Sequence, residues 1–337
     1  MTYSPVAFYR WLPAAISMVG VPIRVPAQSA TISARSCHAM TYLPTAKGVV
    51  VFGGARACGV DVVADSVLWV WNGEQWKWLG QPGPSRREDA LLAFDSRRQV
   101  LVLHGGRAGG VVHRDTWEWN GGQWGRRATG NEGGPGPIEH SAIAYDERRG
   151  RLVVFGGGSR DGRLFGDTWE WDGTEWRRRD GVGPSSRVGH SMAWSVADSA
   201  VLVYGGFNAR GPLTDLWKWD GDVWTRLDST GPATTEGPAL VSSDRGPLLV
   251  GLRRGSAADV SVGVWSWRAG RWIEERSSGG PRSRVGQGIA YDPVRRRLVF
   301  FGGYFESTNR SSVETWEFDG ATWRVVVADA GVSFRTK

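Results

Sequence analysis

Twelve side chains suited to holding an anion lie just beyond the ends of short apolar runs in this chain: Arg56, Arg107, His113, Arg114, Arg160, Arg163, Asn208, Arg210, Arg253, Arg254, Tyr304 and Arg310. Arginine presents a planar fork of donors that meets a carboxylate or sulfate two bonds at a time. The competing reading of any one of these residues is ordinary solvated loop charge. No nucleophile–His–Asp set, paired carboxylates or phosphate-cradling loop stands out, so no catalytic residue is assigned. The spacing of the arginines therefore matters more than their number, and a repeat sets that spacing.

The repeat is written in tryptophan. Trp69-Val70-Trp71 is followed five residues later by Trp76, Trp117-Glu118-Trp119 by Trp124, and Trp169-Glu170-Trp171 by Trp176. The series continues as Trp217-Lys218-Trp219 then Trp224, Trp265-Ser266-Trp267 then Trp272, and Trp316-Glu317-Phe318 then Trp323. Successive units start 48, 52, 48, 48 and 51 residues apart. A period near fifty predicts propeller blades, and it absorbs most of the 20 Trp in the 337-residue chain.

The third unit shows how such a blade is built. The alternating stretch His140 to Tyr145 reads as a strand A that ends at Asp146 and runs into a turn at Glu147 to Gly150. Arg151-Leu152-Val153-Val154-Phe155 is the near-continuous apolar run of a strand B buried on both faces. Gly156-Gly157 then permits a sharp backbone turn. Asp167 to Trp171 forms strand C, and Asp172-Gly173 is a tight hairpin turn into strand D at Glu175-Trp176-Arg177. Unit five has decayed, with Val250-Gly251-Leu252 in place of the double glycine and Ala269-Gly270 in place of the turn.

This combination resembles the bacterial Kelch-repeat β-propeller, whose repeats read Arg-x-x-His-Ser, Tyr-Asp, Phe-Gly-Gly, Asp-Thr-Trp-Glu-Trp-Asp-Gly and Trp. The resemblance covers about residues 33–327. It implies an all-β, six-bladed β-propeller of four-stranded antiparallel Kelch-type blades, with strand A lining a central channel and the whole used as a binding scaffold. Blades are expected at about 33–84, 85–136, 137–184, 185–232, 233–281 and 282–330, with a tail at 331–337. The first unit begins at strand A and the last ends at strand D, so the ring is expected to close by packing blade six on blade one.

Paired Trp residues two apart share a strand face, so each pair is expected to bury against the neighbouring blade. The D–A and B–C connections share one end of the disc and vary in length, whereas the A–B and C–D turns at the other end are stereotyped. Variable loops on a rigid scaffold are where binding tends to sit. His38, His140 and His190 are read as one register at the start of strand A, with Asp89, Pro238 and Gln287 in the other units. A metal there is not expected, because packed sheets stand about 10 Å apart while ligands must come within about 2.2 Å of the ion. A hydrogen bond to an adjacent loop is the simpler duty. His104 stands where other units carry Phe or Tyr and reads as a core substitution.

Net charge is +7 and the isoelectric point near 9.8, a balance that favours anionic partners. No aromatic-basic nucleic-acid motif accompanies it, which makes nucleic acid an unfavoured partner. Residues 1–32 carry Arg10, an apolar stretch from Leu12 to Gly20 and small residues at Ala27 to Ala30. They read as a secretory leader or as the remnant of a preceding repeat that could help close the ring. Cys37 and Cys58 would lie at one end of blade one, where a disulfide would suit an exported or cell-envelope protein, and two free thiols are the alternative.

The sequence thus leads to a monomeric, non-catalytic propeller, without cofactor or membrane span, that binds a protein or an anionic glycan through its B–C and D–A loops. The alternative is a carbohydrate-active enzyme of oxidase, sialidase or sialate mutarotase type at the channel mouth. Asp319-Gly320-Ala321-Thr322-Trp323 approaches a sialidase box, but its Asp-Gly pair is a hairpin turn, and the cysteines lack the companion Tyr and His ligands a copper radical oxidase needs.

Overall fold

The computed structural model describes residues 31–57, 66–80, 83–234, 237–252 and 262–329. Six four-stranded antiparallel sheets follow one another along the chain, each with its strands in spatial order A-B-C-D. Their innermost strands are Ala39–Leu43, Leu91–Asp95, Ala142–Asp146, Ser191–Ser195, Ala239–Val241 and Gly288–Asp292. Each of these packs on the next, and the sixth returns to the first, so the sheets form a closed six-bladed β-propeller. Among the described residues the one helical element is a single 3-10 turn at Pro44–Ala46.

In the third blade strands Ala142–Asp146, Arg151–Phe155, Thr168–Trp171 and Trp176–Arg179 pair in register, with Ala142 opposite Phe155, Val154 opposite Trp169 and Trp171 opposite Trp176. Leu152, Val153, Val154 and Phe155 are wholly buried, as a strand covered by blades on both sides must be. Every described residue of the second Trp register is buried, from Trp71 through Trp119, Trp171, Trp219 and Trp267 to Phe318. Each packs across the hairpin on the Trp five residues later, at 5.0 to 5.9 Å between ring centroids.

The first Trp register keeps the expected paired burial in blades one and five, where Trp69 and Trp265 are buried, and departs from it in the other four. Trp117, Trp169, Trp217 and Trp316 are only half-buried. Three of these point an indole N–H at the acid two residues earlier, Trp117 to Asp115, Trp217 to Asp215 and Trp316 to Glu314. In those three blades an acid at the sheet margin holds the first ring, while the second packs against the Trp of its own hairpin.

Indole hydrogen bonds also join the blades. Trp219 donates to Glu170 of the preceding blade at 2.9 Å and Trp171 to Glu118 at 3.4 Å. Trp176 and Trp224 donate to Thr116 and Thr168 of their preceding blades, both at 2.9 Å. The Thr-Trp-Glu-Trp string is therefore two-sided, with its tryptophans reaching back and its Thr and Glu receiving the next blade. Trp71 and Trp76 of blade one reach Glu317 and Thr315 of blade six in the same way, at 2.7 and 2.8 Å. Among the described residues, closure repeats the ordinary blade junction and uses no shared strand.

The double glycine has a second cause beyond its turn. The N–H of Gly54 donates to Arg87 O of the next blade, Gly157 to Arg187 O, and Gly303 to Arg35 O, each at 2.9 Å. A Cβ on Gly53 would lie 2.1 Å from Arg87 O, so the approaching backbone excludes any side chain.

Candidate functional site

At one end of each blade the chain turns into strand A through a residue with positive φ: Cys37, Asp89, His140, Gly189, Gly237 and Gly286. Backbone bonds run round this mouth, from Asp89 N to Cys37 O at 2.9 Å, Gly189 N to His140 O at 2.9 Å, and Cys37 N to Gly286 O at 2.7 Å. All six residues line a cavity of about 350 Å³ on the central axis. Three residues further in, each strand A contributes one large aliphatic side chain, Met40, Leu92, Ile143, Met192, Leu240 and Ile289.

This register corrects the expected histidine ring. His140 shares its place with Asp89, but His38 and His190 stand one residue further on, in register with Ala90, Ser141, Pro238 and Gln287. A fifty-residue repeat with insertions leaves a one-residue offset invisible in sequence, and on a strand one residue exchanges faces. His190 Nε2 donates to Phe155 O at the end of strand B of the preceding blade, 3.0 Å away, so the partner is a neighbouring strand where the sequence predicts an adjacent loop. His38 packs edge-on against Phe301 of blade six, but neither of its ring nitrogens has a hydrogen-bond partner among the described residues. Burial pushes both imidazoles down to about 3. His104 is a buried core residue bonded to Thr116, as expected, and burial lowers it to about 4.

The D–A and B–C connections do share this end of the disc. The residue before each turning position bridges the one after the double glycine: Ser36 to Ala55, Glu88 to Arg107, Glu139 to Gly158, Val188 to Phe207 and Val285 to Tyr304. Beyond these bridges the B–C connections of blades two, four and six rise as small hairpins, Arg107–Ala108 with Val111–Val112, the outer parts of Ala200–Asn208 and Gly211–Trp219, and Tyr304–Phe305 with Arg310–Ser311.

The twelve expected anion-binding residues separate into different environments. Arg56, Arg210 and Arg310 are exposed on this face. Arg114 is exposed and bonds Asn131, Arg160 reaches across to Gly110 O of the neighbouring hairpin, and Arg163 covers the Phe165 ring. Asn208 bonds Ser185 and caps its own turn, and Tyr304 donates to Asn309. His113 is half-buried, and burial lowers its basicity. Arg253 and Arg254 lie outside the described residues, as do the segment 1–30, Cys58 and the tail. Cys37 is disulfide-bonded.

Arg107 is the clearest departure. Its guanidinium meets Glu88 at 3.0 Å, Glu139 at 3.3 Å and Asp89 at 3.8 Å, so acids surround it and it is not a free anion site. Asp89 also faces His140, whose Nδ1 is 3.0 Å from Asp89 Oδ2. That hydrogen bond raises the pKa of the half-exposed imidazole against the opposing effect of desolvation. The acids were missed because Glu88 and Glu139 come from blades two and three, 51 positions apart in the chain. Exposed Phe207 was also missed, although it follows its double glycine as Arg107 and Tyr304 do.

A second arginine set braces the loops from inside. Arg87 bonds Gly105 O and Asp115, Arg187 bonds Gly205 O and Asp215, and Arg284 bonds Gly302 O and Glu314. On the opposite end Arg98, Arg149 and Arg295 each join an A–B turn Asp to a strand C Glu. They also cover Gly173, Gly221 and Gly73 in the C–D turns of the next blade. Among the described residues no group of three His, Cys, Asp or Glu could hold a metal, and no helix is long and apolar enough to cross a membrane.

No family model matches the chain. A stretch of 151 residues is 26% identical to the tRNA wybutosine-synthesizing protein 4 of Aspergillus fumigatus, over 44% of this chain and 14% of that protein. Another of 203 residues is 26% identical to the Mei4-dependent protein 6 of Schizosaccharomyces pombe, over 52% of this chain and 28% of that protein. The chain thus spans less than a third of the length of either curated relative. A six-bladed propeller supports a binding scaffold or an enzyme, and neither similarity separates the two.

Proposed function

We propose that this chain is a Kelch-type propeller that acts as a non-catalytic scaffold and binds a protein or an anionic glycan through its B–C and D–A loops. One observation carries the reading: the B–C connections of blades two, four and six rise as hairpins of unlike composition above a stereotyped interior. Phe207, Arg210 and Arg310 are exposed on the hairpins of blades four and six, and Arg56 on the B–C connection of blade one. The A–B and C–D end, by contrast, spends its arginines on its own turns. A disulfide at Cys37 suits an oxidising compartment, hence export.

The test is an array of sulfated, carboxylated and neutral glycans together with acidic peptides, read at rising salt. Binding that weakens with salt and falls at least about tenfold in the R56A/R210A/R310A variant is expected. No hit, or binding indifferent to both changes, overturns the anionic partner.

The enzyme alternative has its own observation, the convergence of Glu88, Asp89, Arg107, Glu139 and His140 beside a cavity. Acids and a base with shifted protonation beside a pocket are what a catalytic site would use. Turnover of a glycoside panel that is lost in H140Q would favour it.

A further inference from the structure

The junction between blades five and six lacks groups that other junctions share. In blades two, three and six an A–B turn arginine covers the C–D turn glycine of the next blade, Arg98 over Gly173, Arg149 over Gly221 and Arg295 over Gly73. Each of these arginines meets two acids, Asp95 and Glu118, Asp146 and Glu170, or Asp292 and Glu317. In blade five Arg245 keeps the cover, since a Cβ on Gly320 of blade six would lie 3.2 Å from its Nη1. Both acids are gone. Ser243 follows Val241 by two residues as Asp292 follows Ala290, and Ser266 lies opposite Leu248 as Glu317 lies opposite Val299.

The acids nearby are committed elsewhere. Asp244 is held by Tyr291 and Arg296, and Glu275 meets Arg268 at 2.8 Å. Asp319 accepts from the N–H groups of Ala321 and Thr322 in its own turn. Arg245 donates its backbone N–H to Ser243, and among the described residues its guanidinium makes no hydrogen bond or ion pair. It is exposed.

The indole of this junction is missing as well. Trp71, Trp171 and Trp219 occupy the corresponding place elsewhere and donate to Glu317, Glu118 and Glu170. Blade six carries Phe318 instead, a smaller ring with no N–H. Against Phe318 lies a pocket of about 30 Å³ whose apolar lining is Leu248, Val264, Leu298 and Phe318, and Arg245 stands at its rim. One water needs only about 10–15 Å³. A carboxylate pushed onto the apolar floor would lose its hydration without a partner. At the rim the same group meets a guanidinium two bonds at a time.

We propose that this pocket binds a short aliphatic carboxylate, with the hydrocarbon tail on the apolar floor and the carboxylate on Arg245, where a strand C glutamate stands at other junctions. The site lies at the A–B and C–D end of the disc, so it is separate from the partner proposed for the B–C and D–A loops.

The test is calorimetric titration of the full chain with propionate, with propanol and ethylammonium as charge controls and N-acetylalanine as the counterpart of a chain terminus. Saturable binding of a carboxylate probe, absent for both controls, is expected. Preference for N-acetylalanine assigns the carboxylate to the C-terminus of a partner chain, and preference for propionate to a free acid. Arg245→Gln alters an exposed residue and should weaken binding at least about tenfold with the unfolding midpoint unchanged. Ser266→Glu, which restores the residue of blades two, three and six, should occupy Arg245 from within and weaken binding as much. The loop-face variant R56A/R210A/R310A should bind propionate as the unaltered chain does.

The Arg245 Nε–H resonance, followed by NMR in the unaltered chain, gives a check that needs no substitution, because it must shift with carboxylate and not with propanol. Absence of saturable binding by either carboxylate, equal binding of propanol, full affinity in R245Q or S266E, or loss of affinity in the loop-face variant overturns the proposal.

Discussion

The indole of Trp71 in blade one donates its N–H to Glu317 in blade six across 2.7 Å, and beside it Trp76 donates to Thr315 across 2.8 Å. The first and last blades, some 240 residues apart in sequence, are thus joined by the same two bonds that join neighbours such as Trp219 to Glu170 and Trp224 to Thr168.

Removing the threonine acceptor should therefore cost alike at the seam and inside the ring. Thr315→Val orphans the Trp76 N–H and Thr168→Val orphans the more deeply buried Trp224 N–H. Each should lose about 1–3 kcal/mol in urea unfolding, T168V the more. An unchanged T315V midpoint would show that the seam is held by other contacts.

Three blades already lack that threonine, and three orphans result. Thr gives way to Leu68, Leu216 and Val264 in blades one, four and five, and the indole nitrogens of the following blades, Trp124, Trp272 and Trp323, have no partner among the described residues. Val264→Thr should supply Trp323 with an acceptor and leave stability unchanged or raised by up to about 1 kcal/mol. The same substitution at fully buried Val154, where no indole waits for an acceptor, should cost about 1–3 kcal/mol. Equal losses at both sites would contradict the indole–threonine pairing.

Glycine at the double-glycine turn answers to its neighbour as well as to its own backbone. Gly53 and Gly109 both have positive φ, but a Cβ on Gly53 would meet Arg87 O at 2.1 Å, whereas one on Gly109 would meet nothing within 4 Å. Gly109→Ala should cost about 1–2 kcal/mol from backbone strain alone. Gly53→Ala should exceed it by at least about 2 kcal/mol, because it also pushes two blades apart. Comparable thermal shifts in the two variants would remove the packing explanation.

The blade was legible because Trp169, Trp171 and Trp176 repeat with fixed chemistry, and because Gly156-Gly157 punctuates a continuous apolar strand. Six copies of one pattern leave little room for another fold. The mouth was not legible in the same way. The offset between His140 and His190 is a single residue, and only the pairing of Ala142 with Phe155 and of Ser191 with Tyr204 fixes it. Arg107 looked like a free cation because Glu88, its partner within blade two, lies 19 positions before it and Glu139 reaches it only when blade three packs on blade two. Repeats announce the contacts that recur in every unit, whereas a site made by one junction appears once and leaves no period to read.

Acid should unfold this propeller through its wedged histidines. His38 and His190 are buried at junctions between blades and are held near 3, against about 6.5 in the unfolded chain. Between these values the unfolded state binds a proton that the folded state refuses, so stability is fully present above about pH 6.5 and falls as the pH drops. Each histidine should contribute about 1.4 kcal/mol per pH unit in that window. His140 acts in the opposite sense, since its raised pKa adds stability at low pH that is lost as the pH rises through its folded value, but half-exposure keeps that contribution small. Urea midpoints measured from pH 6.5 down to about pH 4 should therefore fall steeply, and His190→Gln should remove one proton's worth of the slope while weakening the junction at neutral pH. A slope untouched by H190Q would mean that His190 takes up its proton in the folded ring, and that the wedge between Phe155 and blade four is open to water.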